Sequence, residues 1–510
     1  MELLDIIDSH DQKDKVAHQY RESKLTFRDL KERSDAMAVF LIKSLGFSKT
    51  PIIVYGHKQH EMLVCFLACA KSGHPYIPID SSIPTERIKD IVNSSEAEII
   101  LNIDSSNCFF KNCTVLDLAQ INYWINKYVG IIPDKKYRVV KEDTYYVIYT
   151  SGSTGEPKGV QITLACLESF LIWALFLCKS VLTTQSVFLN QAPFSFDLSV
   201  MDLYLSLVTG STLFSVDKQM AANLKELFDY LHTSNISVWV STPSFAEICL
   251  ADRSFSEKLM HGVKLFLFCG EVLTQSCAGR LYKRFNKARI INMYGPTEAT
   301  VAVTAIEINK KMYSGDEPLP VGYVKKDCNI LIIDSNGNEL PQGNKGEILI
   351  AGDSVGTGYL KDSKLTEKVF SEVLINDIRK RCYRTGDEGF LKDNLLYYCG
   401  RIDSQIKLNG YRIELEDIEN NLRKVSFVKN AVVVPINKNG RIQYLSAIVV
   451  LDKVLDEREF KIGLMIKGEL KNYLPEYMIP RKIIVRKNLP VTANGKVNRK
   501  LLIEQIKESQ

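Results

Sequence analysis

Through its first 300 residues the chain alternates short apolar segments with helical patterns, and this alternation restricts the fold more than any other feature. PIIVYG (51–56), TYYVIYT (144–150), SVWVST (237–242) and VKLFLFCG (263–270) read as buried strands. Between them, Glu61–Ser72 and Leu224–Thr233 carry apolar residues at helical spacing. Strands with no polar face need cover on both sides, which intervening helices supply. The pattern predicts α/β layers with much parallel sheet. From Leu319 the texture changes: NILIIDSNGNELPQGNKGEILIAG reads as short strands joined by SNGN and GNKG turns, hence a small β-rich subdomain over about 319–400. After Gly400 come a helical stretch (415–425), the strands AVVVP and YLSAIVVL, and a helix through 461–473. At 510 residues the chain exceeds one simple core. We expect a large N-terminal multi-layer α/β domain over 1–400, a hinge at 401–403, and a small mobile α+β C-terminal domain over 404–510.

Composition narrows the class. Hydrophobic residues at 45% and charged residues at 25% suit a soluble globular protein. The apolar run FLIWALFLC (170–178) is too short to span a bilayer as a helix and reads as a buried helix face, so no stable membrane insertion is expected. MELLDIIDSH carries acids where a secretory leader carries bases, which predicts a cytoplasmic protein. Twelve cysteines without a CxxC pair predict reduced, mostly buried thiols, and seven scattered histidines without HExxH argue against a structural metal site. The net charge of +5 is uneven: residues 404–510 hold 20 Lys and Arg against 12 Asp and Glu, or +8, leaving −3 for the rest. Such a basic segment is either a solvated face or a surface that steers anionic ligands or an acidic protein. No arginine-rich run or recognised nucleic-acid motif points to nucleic acid.

The chemistry lies in six short strings. YTSGSTGEPKG (149–159) follows a predicted strand, and its glycines and hydroxyls suit the approach of phosphate oxygens, with Lys158 adding charge. It is not a Walker A loop, and on composition alone it is equally a surface turn. NMYGPTEAT (292–300) places an aromatic ring, a hydroxyl and a carboxylate around a Gly-Pro turn. YRTGDEGF (383–390) presents Asp387, CGRIDSQIKLNGYRIELEDIE (399–419) holds Arg401 and Asp403, and PVTANGKVNRKLL (490–502) presents Lys496 at a Gly turn. FSFDLSVMDLY (194–204) adds Asp197. A buried aspartate is costly unless a cation pairs with it, and a substrate α-ammonium, absent from fatty and aryl acids, is one such cation.

Together these strings resemble the adenylate-forming superfamily of acyl-CoA synthetases, luciferases and peptide-synthetase adenylation domains. The resemblance implies ATP and Mg²⁺. It places Thr150 and Ser151 nearest the ATP phosphates, with Ser153, Thr154 and Lys158 completing the loop. Asn292, Met293, Tyr294, Gly295, Pro296 and Thr297 would bind AMP, with Tyr294 against adenine, Thr297 on phosphate and Glu298 holding Mg²⁺. It gives Asp387 the ribose hydroxyls, puts Tyr398, Cys399, Gly400 and Arg401 at the nucleotide, and makes Asp403 the pivot of the small domain. Gly410 would line the route of a pantetheine thiol, and Lys496 would stabilise charge where carboxylate and α-phosphate meet. In amino-acid-activating members the aspartate at the position of Asp197 pairs with the substrate α-ammonium. Ser404 departs from the bulkier residue usual in this group.

Longer strings, among them SGHPYIPID, VWVSTPSFAEICL and LPEYMIPRKI, resemble the branch that loads D-alanine onto an acidic phosphopantetheinylated carrier protein for teichoic acid D-alanylation. There Cys269 and Val301 would shape a small substrate pocket, although Cys269 is also readable as an ordinary core thiol. A stand-alone adenylation domain for another small amino acid is the nearest alternative. An acyl-CoA synthetase is disfavoured by Asp197. A non-catalytic sensing module would be expected to lack Lys496, Asp387 or Glu298, and all three are present.

Overall fold

The computed structural model describes residues 1–11, 14–104, 113–152, 156–183, 185–315, 317–403, 405–438, 441–453, 455, 457–490 and 499–508. The chain divides into two compact units. The first comprises Met1–Ser81, Ser94–Tyr149 and Gly159–Ile402; the second comprises Ser82–Asn93, Thr150–Lys158 and Asp403–Gln510.

The first unit is layered α/β. Its nine-stranded sheet has at its centre the mutually parallel strands Arg289–Tyr294, Leu265–Phe268, Val238–Ser241, Val187–Asn190 and Thr212–Ser215, continued by Val16–Tyr20. Antiparallel strands close both edges, Ser23–Thr26 at one and Thr304–Glu307 with Tyr323–Val324 at the other. A seven-stranded sheet runs Gly358–Tyr359, Lys158–Thr163, Thr144–Thr150, Tyr76–Asp80, Ile52–Gly56, Ile99–Asn102 and Thr114–Leu116. Ile52–Gly56 is buried at every position, as expected for a strand covered on both faces. The helix His60–Ser72 that follows is buried from Met62 onward and stops at Gly73, whose φ of 89° a residue with a side chain would resist.

A five-stranded antiparallel sheet occupies the β-rich stretch: Cys328–Ile333, Gly346–Gly352, Ile378–Lys392 and Phe370–Ile375, with Leu395–Arg401 paired to Ile378–Lys392. The apolar run around Phe170 is a helix with one buried face, as expected, although its other side is also apolar. It lies in the helix Leu164–Cys178, where Phe170, Leu171, Ala174 and Cys178 are buried but Ile172 and Phe176 are 56% and 75% exposed. A helix apolar on all sides still buries only the side that meets a neighbour.

The second unit has its own core around the three-stranded sheet Val428–Lys438, Arg441–Leu451 and Lys482–Val485, packed by the helices Leu415–Leu422 and Glu459–Leu470. Its membership differs from a single cut at 401–403, because two segments from early in the chain pack into it. Arg87 and Asp417 form a buried ion pair at 3.0 Å, and the Ser151 hydroxyl donates to the Arg412 carbonyl at 3.0 Å while accepting from the Glu414 amide at 3.1 Å. No helix among the described residues is long and apolar enough to cross a membrane, and no described cysteine is in a disulfide.

Candidate functional site

The parallel strands Val187–Asn190, Val238–Ser241, Leu265–Phe268 and Arg289–Tyr294 share one direction, so their carboxyl ends and the loops that follow lie along one edge. In open α/β sheets that edge is where ligands bind. It carries Asn190 and the loop to Asp197, Cys269, and the Tyr294–Val301 loop.

Tyr294 ends its strand with its ring buried and its hydroxyl donating to Asp387 Oδ2 at 2.6 Å. Burial, and then the Asp387 charge, push the Tyr294 phenol well above its ordinary range, so it stays a donor. Asp387 Oδ1 accepts from Arg401 Nη1 at 2.9 Å, and Arg401 also donates to the Thr385 carbonyl at 2.7 Å. Strand register explains the pair: Asp387 lies opposite Arg401 across the antiparallel ladder. The Tyr398 ring stands 5.9 Å from Tyr294, whereas Cys399, unpaired at an irregularity in the ladder, is exposed, with Gly400 after it.

The loop after Tyr294 is tightly folded. A Cβ on Gly295 would come within 2.5 Å of Ala302 Cα, so only glycine permits this approach. Pro296 precedes the 3₁₀ turn Thr297–Ala299, which contains Glu298, fully buried and accepting from the Tyr359 hydroxyl at 2.8 Å. Thr300 and Val301 then adopt φ of 56° and 67°. For two consecutive β-branched residues this is strained, costing on the order of 1–3 kcal/mol each. The Ala302 amide reaches the Thr300 carbonyl at 2.8 Å, closing a three-residue turn on Val301. The surroundings hold the strain in place: Thr300 Oγ1 donates to the Ser354 carbonyl at 2.7 Å, and Cys269 Sγ to the Val301 carbonyl at 3.5 Å. Cys269 and Val301, distant in sequence, are thus in direct contact. Asn292 Nδ2 donates to the Pro320 carbonyl at 2.8 Å, and Met293 is buried in the main core.

Asp197 occupies the N-cap position of the helix Leu198–Thr209 without capping it through its side chain. Tyr146 lies within its field: burial first, then Tyr76 and Asp197, raise the Tyr146 phenol well above normal. Among the described residues the buried Tyr146 hydroxyl and the Ser195 hydroxyl have no hydrogen-bond partner, which leaves polar groups for a ligand beside Asp197. Sequence reasoning missed Tyr146, Tyr359 and Thr385: Tyr146 reads only as part of the buried strand 144–150, Thr385 stands unremarked beside Asp387 in YRTGDEGF, and Tyr359 lies in no recognisable string.

In the second unit, Thr150 Oγ1 is buried without a partner among the described residues, and Ser151 is held as above. Lys158 opens the strand Lys158–Thr163. Asp403 Oδ1 accepts from the Gln405 amide at 3.0 Å. Gly410 (φ 86°) follows Asn409 (φ 52°) in the two-residue turn between Gln405–Leu408 and Tyr411–Glu414, a conformation that itself favours an Asn-Gly pair. Ser153, Thr154, Ser404 and Lys496 lie outside the described residues.

The family model for AMP-binding enzymes matches residues 8–360, and the model for the AMP-binding enzyme C-terminal domain matches 417–496. A D-alanine–D-alanyl carrier protein ligase of Bacillus cereus (strain B4264) is 47% identical over 508 residues, covering 99% of this chain and all of that one. The chain belongs to the AMP-binding enzymes, within the D-alanine–D-alanyl carrier protein ligase family. A ligase of the same description from Bacillus thuringiensis (strain Al Hakam) is 48% identical over 97% of both chains. The AMP-binding fold is shared with the Vibrio cholerae adenylation domain AlmE in complex with glycyl-adenosine-5'-phosphate, at a TM-score of 0.84 and 22% identity over all of this chain and 98% of that one.

Proposed function

We propose that this ligase activates D-alanine with ATP and then passes the aminoacyl group to the phosphopantetheine thiol of an acidic carrier protein. In the first step a substrate carboxylate oxygen attacks the α-phosphorus and pyrophosphate leaves, giving D-alanyl adenylate. In the second the thiolate sulfur attacks the acyl carbon and AMP leaves. Little acid–base chemistry is required, so positioning and charge stabilisation carry the rate.

The observation that carries this reading is the Tyr294–Val301 loop. At one end Tyr294 holds Asp387 together with Arg401; at the other Val301 packs against Cys269. One short segment thus joins a carboxylate suited to ribose hydroxyls to the Cys269–Val301 contact proposed to line the amino-acid pocket. Asp197 is the partner for the α-ammonium, with Tyr146 beside it. Glu298, a buried hard-oxygen donor, suits Mg²⁺, which would neutralise phosphate charge when bound. Thr150, Ser151, Ser153, Thr154, Lys158 and Thr297 are assigned to the phosphates. Lys496 is assigned to the first half-reaction and Gly410 to the thiol route, with Asp403 the pivot on which a domain extending from 404 exchanges them. The +8 charge of 404–510 supports an acidic carrier, and we place the reaction in the cytoplasm.

Pyrophosphate exchange measured with D-alanine, L-alanine, glycine, serine and a fatty acid tests the proposal. Mg²⁺-dependent exchange strongest with D-alanine is expected. Exchange with the fatty acid and none with D-alanine would refute it.

A further inference from the structure

A chain of polar groups crosses the interior of the first unit. Lys58, just beyond the strand Ile52–Gly56, is completely buried. Its ammonium donates to Asn190 Oδ1 and to the Ala192 carbonyl, both at 2.5 Å, and lies 4.6 Å from the centre of the Phe194 ring. Asn190 Oδ1 also accepts from Ser215 Oγ at 2.7 Å, while its Nδ2 donates to Asp202 Oδ2 at 2.6 Å and to the Ala192 carbonyl at 3.4 Å. Every donor and acceptor of that amide is used, and its orientation is settled, because the reverse would set an NH₂ against an ammonium. Beyond Ser215 the chain continues to His18 Nε2 at 2.9 Å and from His18 Nδ1 to His60 Nδ1 at 2.9 Å.

Asp197 lies between the points this hub grips. Ala192 and Phe194 precede it in the loop, and Asp202 follows it on the helix Leu198–Thr209. The intervening residues belong to no strand. Residues 193–197 are held locally by a turn closed by the Phe196 amide on the Pro193 carbonyl at 2.9 Å, by the Ser199 hydroxyl on the Phe196 carbonyl at 2.7 Å, and by the Val200 amide on the Asp197 carbonyl at 2.9 Å, where the helix begins. Such a segment needs an external anchor to hold a carboxylate to within a few tenths of an ångström.

We propose that Lys58 is a positioning residue for amino-acid recognition: through Asn190 it ties both ends of the 192–202 segment together and so fixes the Asp197 carboxylate for the substrate α-ammonium. The inference rests on the reading of Asp197 given above. An ammonium is a costly anchor for a core, since a well-packed apolar side chain would serve stability as well or better. Burial has already brought Lys58 down to about 8. What the ammonium adds is direction: two fixed hydrogen bonds and a ring contact converge on one loop.

The test compares wild type, Lys58→Met, Lys58→Gln and Asp197→Asn in pyrophosphate exchange. It varies D-alanine and ATP separately, uses D-lactate as the analogue lacking the ammonium, and follows Tm in parallel. Lys58→Met keeps the length and removes the donors. It should raise KM for D-alanine about ten- to a hundredfold, the scale of a displacement near 1 Å, and leave KM for ATP within about twofold. It should also narrow the preference for D-alanine over D-lactate. Lys58→Gln, which retains a donor, should fall between wild type and Met, and it carries the test by itself where Met does not fold. If Asp197→Asn raises KM for D-alanine while the Lys58 variants lower only Tm, or raise both KM values equally, Lys58 is a core residue and the inference is overturned. If Asp197→Asn leaves KM for D-alanine unchanged, the reading of Asp197 itself fails, and the inference with it.

Discussion

Replacing Tyr294 by Phe separates the two roles that the site gives this residue. The ring stays, and with it any face offered to an adenine; the 2.6 Å bond to Asp387 Oδ2 is lost. A hydrogen bond to a charged group contributes about 1.5–3 kcal/mol. Part of that is offset here, because Arg401 keeps its 2.9 Å contact with Oδ1 and the released Oδ2 can still accept from a ribose hydroxyl. We therefore expect a net loss of about 1–2 kcal/mol in ATP recognition, or about 5- to 30-fold in KM for ATP. KM for D-alanine should be unchanged, and Tm should fall by no more than about 2–4 °C. The assay is pyrophosphate exchange with ATP varied at saturating D-alanine, with thermal unfolding alongside. A lower Tm with KM for ATP unchanged would make the Tyr294–Asp387 bond purely structural and refute the assignment of Asp387 to the ribose.

Three further outcomes follow from the same geometry. Cys269→Ala opens space at the Val301 carbonyl and should narrow the D/L-alanine ratio by about 1–3 kcal/mol, chiefly by improving L-alanine; an unchanged ratio returns Cys269 to the core. Lys496→Ala should abolish adenylate formation but spare transfer from presynthesised D-alanyl adenylate to the carrier, and equal slowing of both would contradict the pivot at Asp403. Burial raises Asp202 from 3.8 to about 8, so the folded state holds a proton there that the unfolded chain releases, and stability from this group is lost as pH rises through that window. Asp202→Asn should therefore gain Tm relative to wild type progressively between pH 4 and 8, and a pH-independent difference would refute the shift.

Much of the site was readable because it is contiguous. Strings such as NMYGPTEAT and YRTGDEGF carry their chemistry within a few residues, and local rules set their turns: Gly295 for close approach, Asn409-Gly410 for a two-residue hairpin. The same locality made the alternation of buried strands and helices legible, since a strand covered on both faces has to be apolar throughout. The helix Leu164–Cys178 shows the limit, because apolar composition does not say which side finds a neighbour.

The amino-acid sequence by itself determined the layered α/β class, the resemblance to adenylate-forming enzymes and most of the residues proposed for the nucleotide. Only the tertiary structure decided which of them meet. Tyr294 reaches Asp387 across 93 positions and Lys58 reaches Asn190 across 132. Cys269 finds a carbonyl whose residue sits at a φ that no propensity for valine would suggest. The packing that gathers Ser82–Asn93 and Thr150–Lys158 into the second unit is likewise absent from any string. The physical reason is the same in each case. Propensity and turn chemistry act over a few bonds, whereas strain at Val301, the paired charges at Asp387 and the buried ammonium of Lys58 are stable only where distant segments converge to satisfy them.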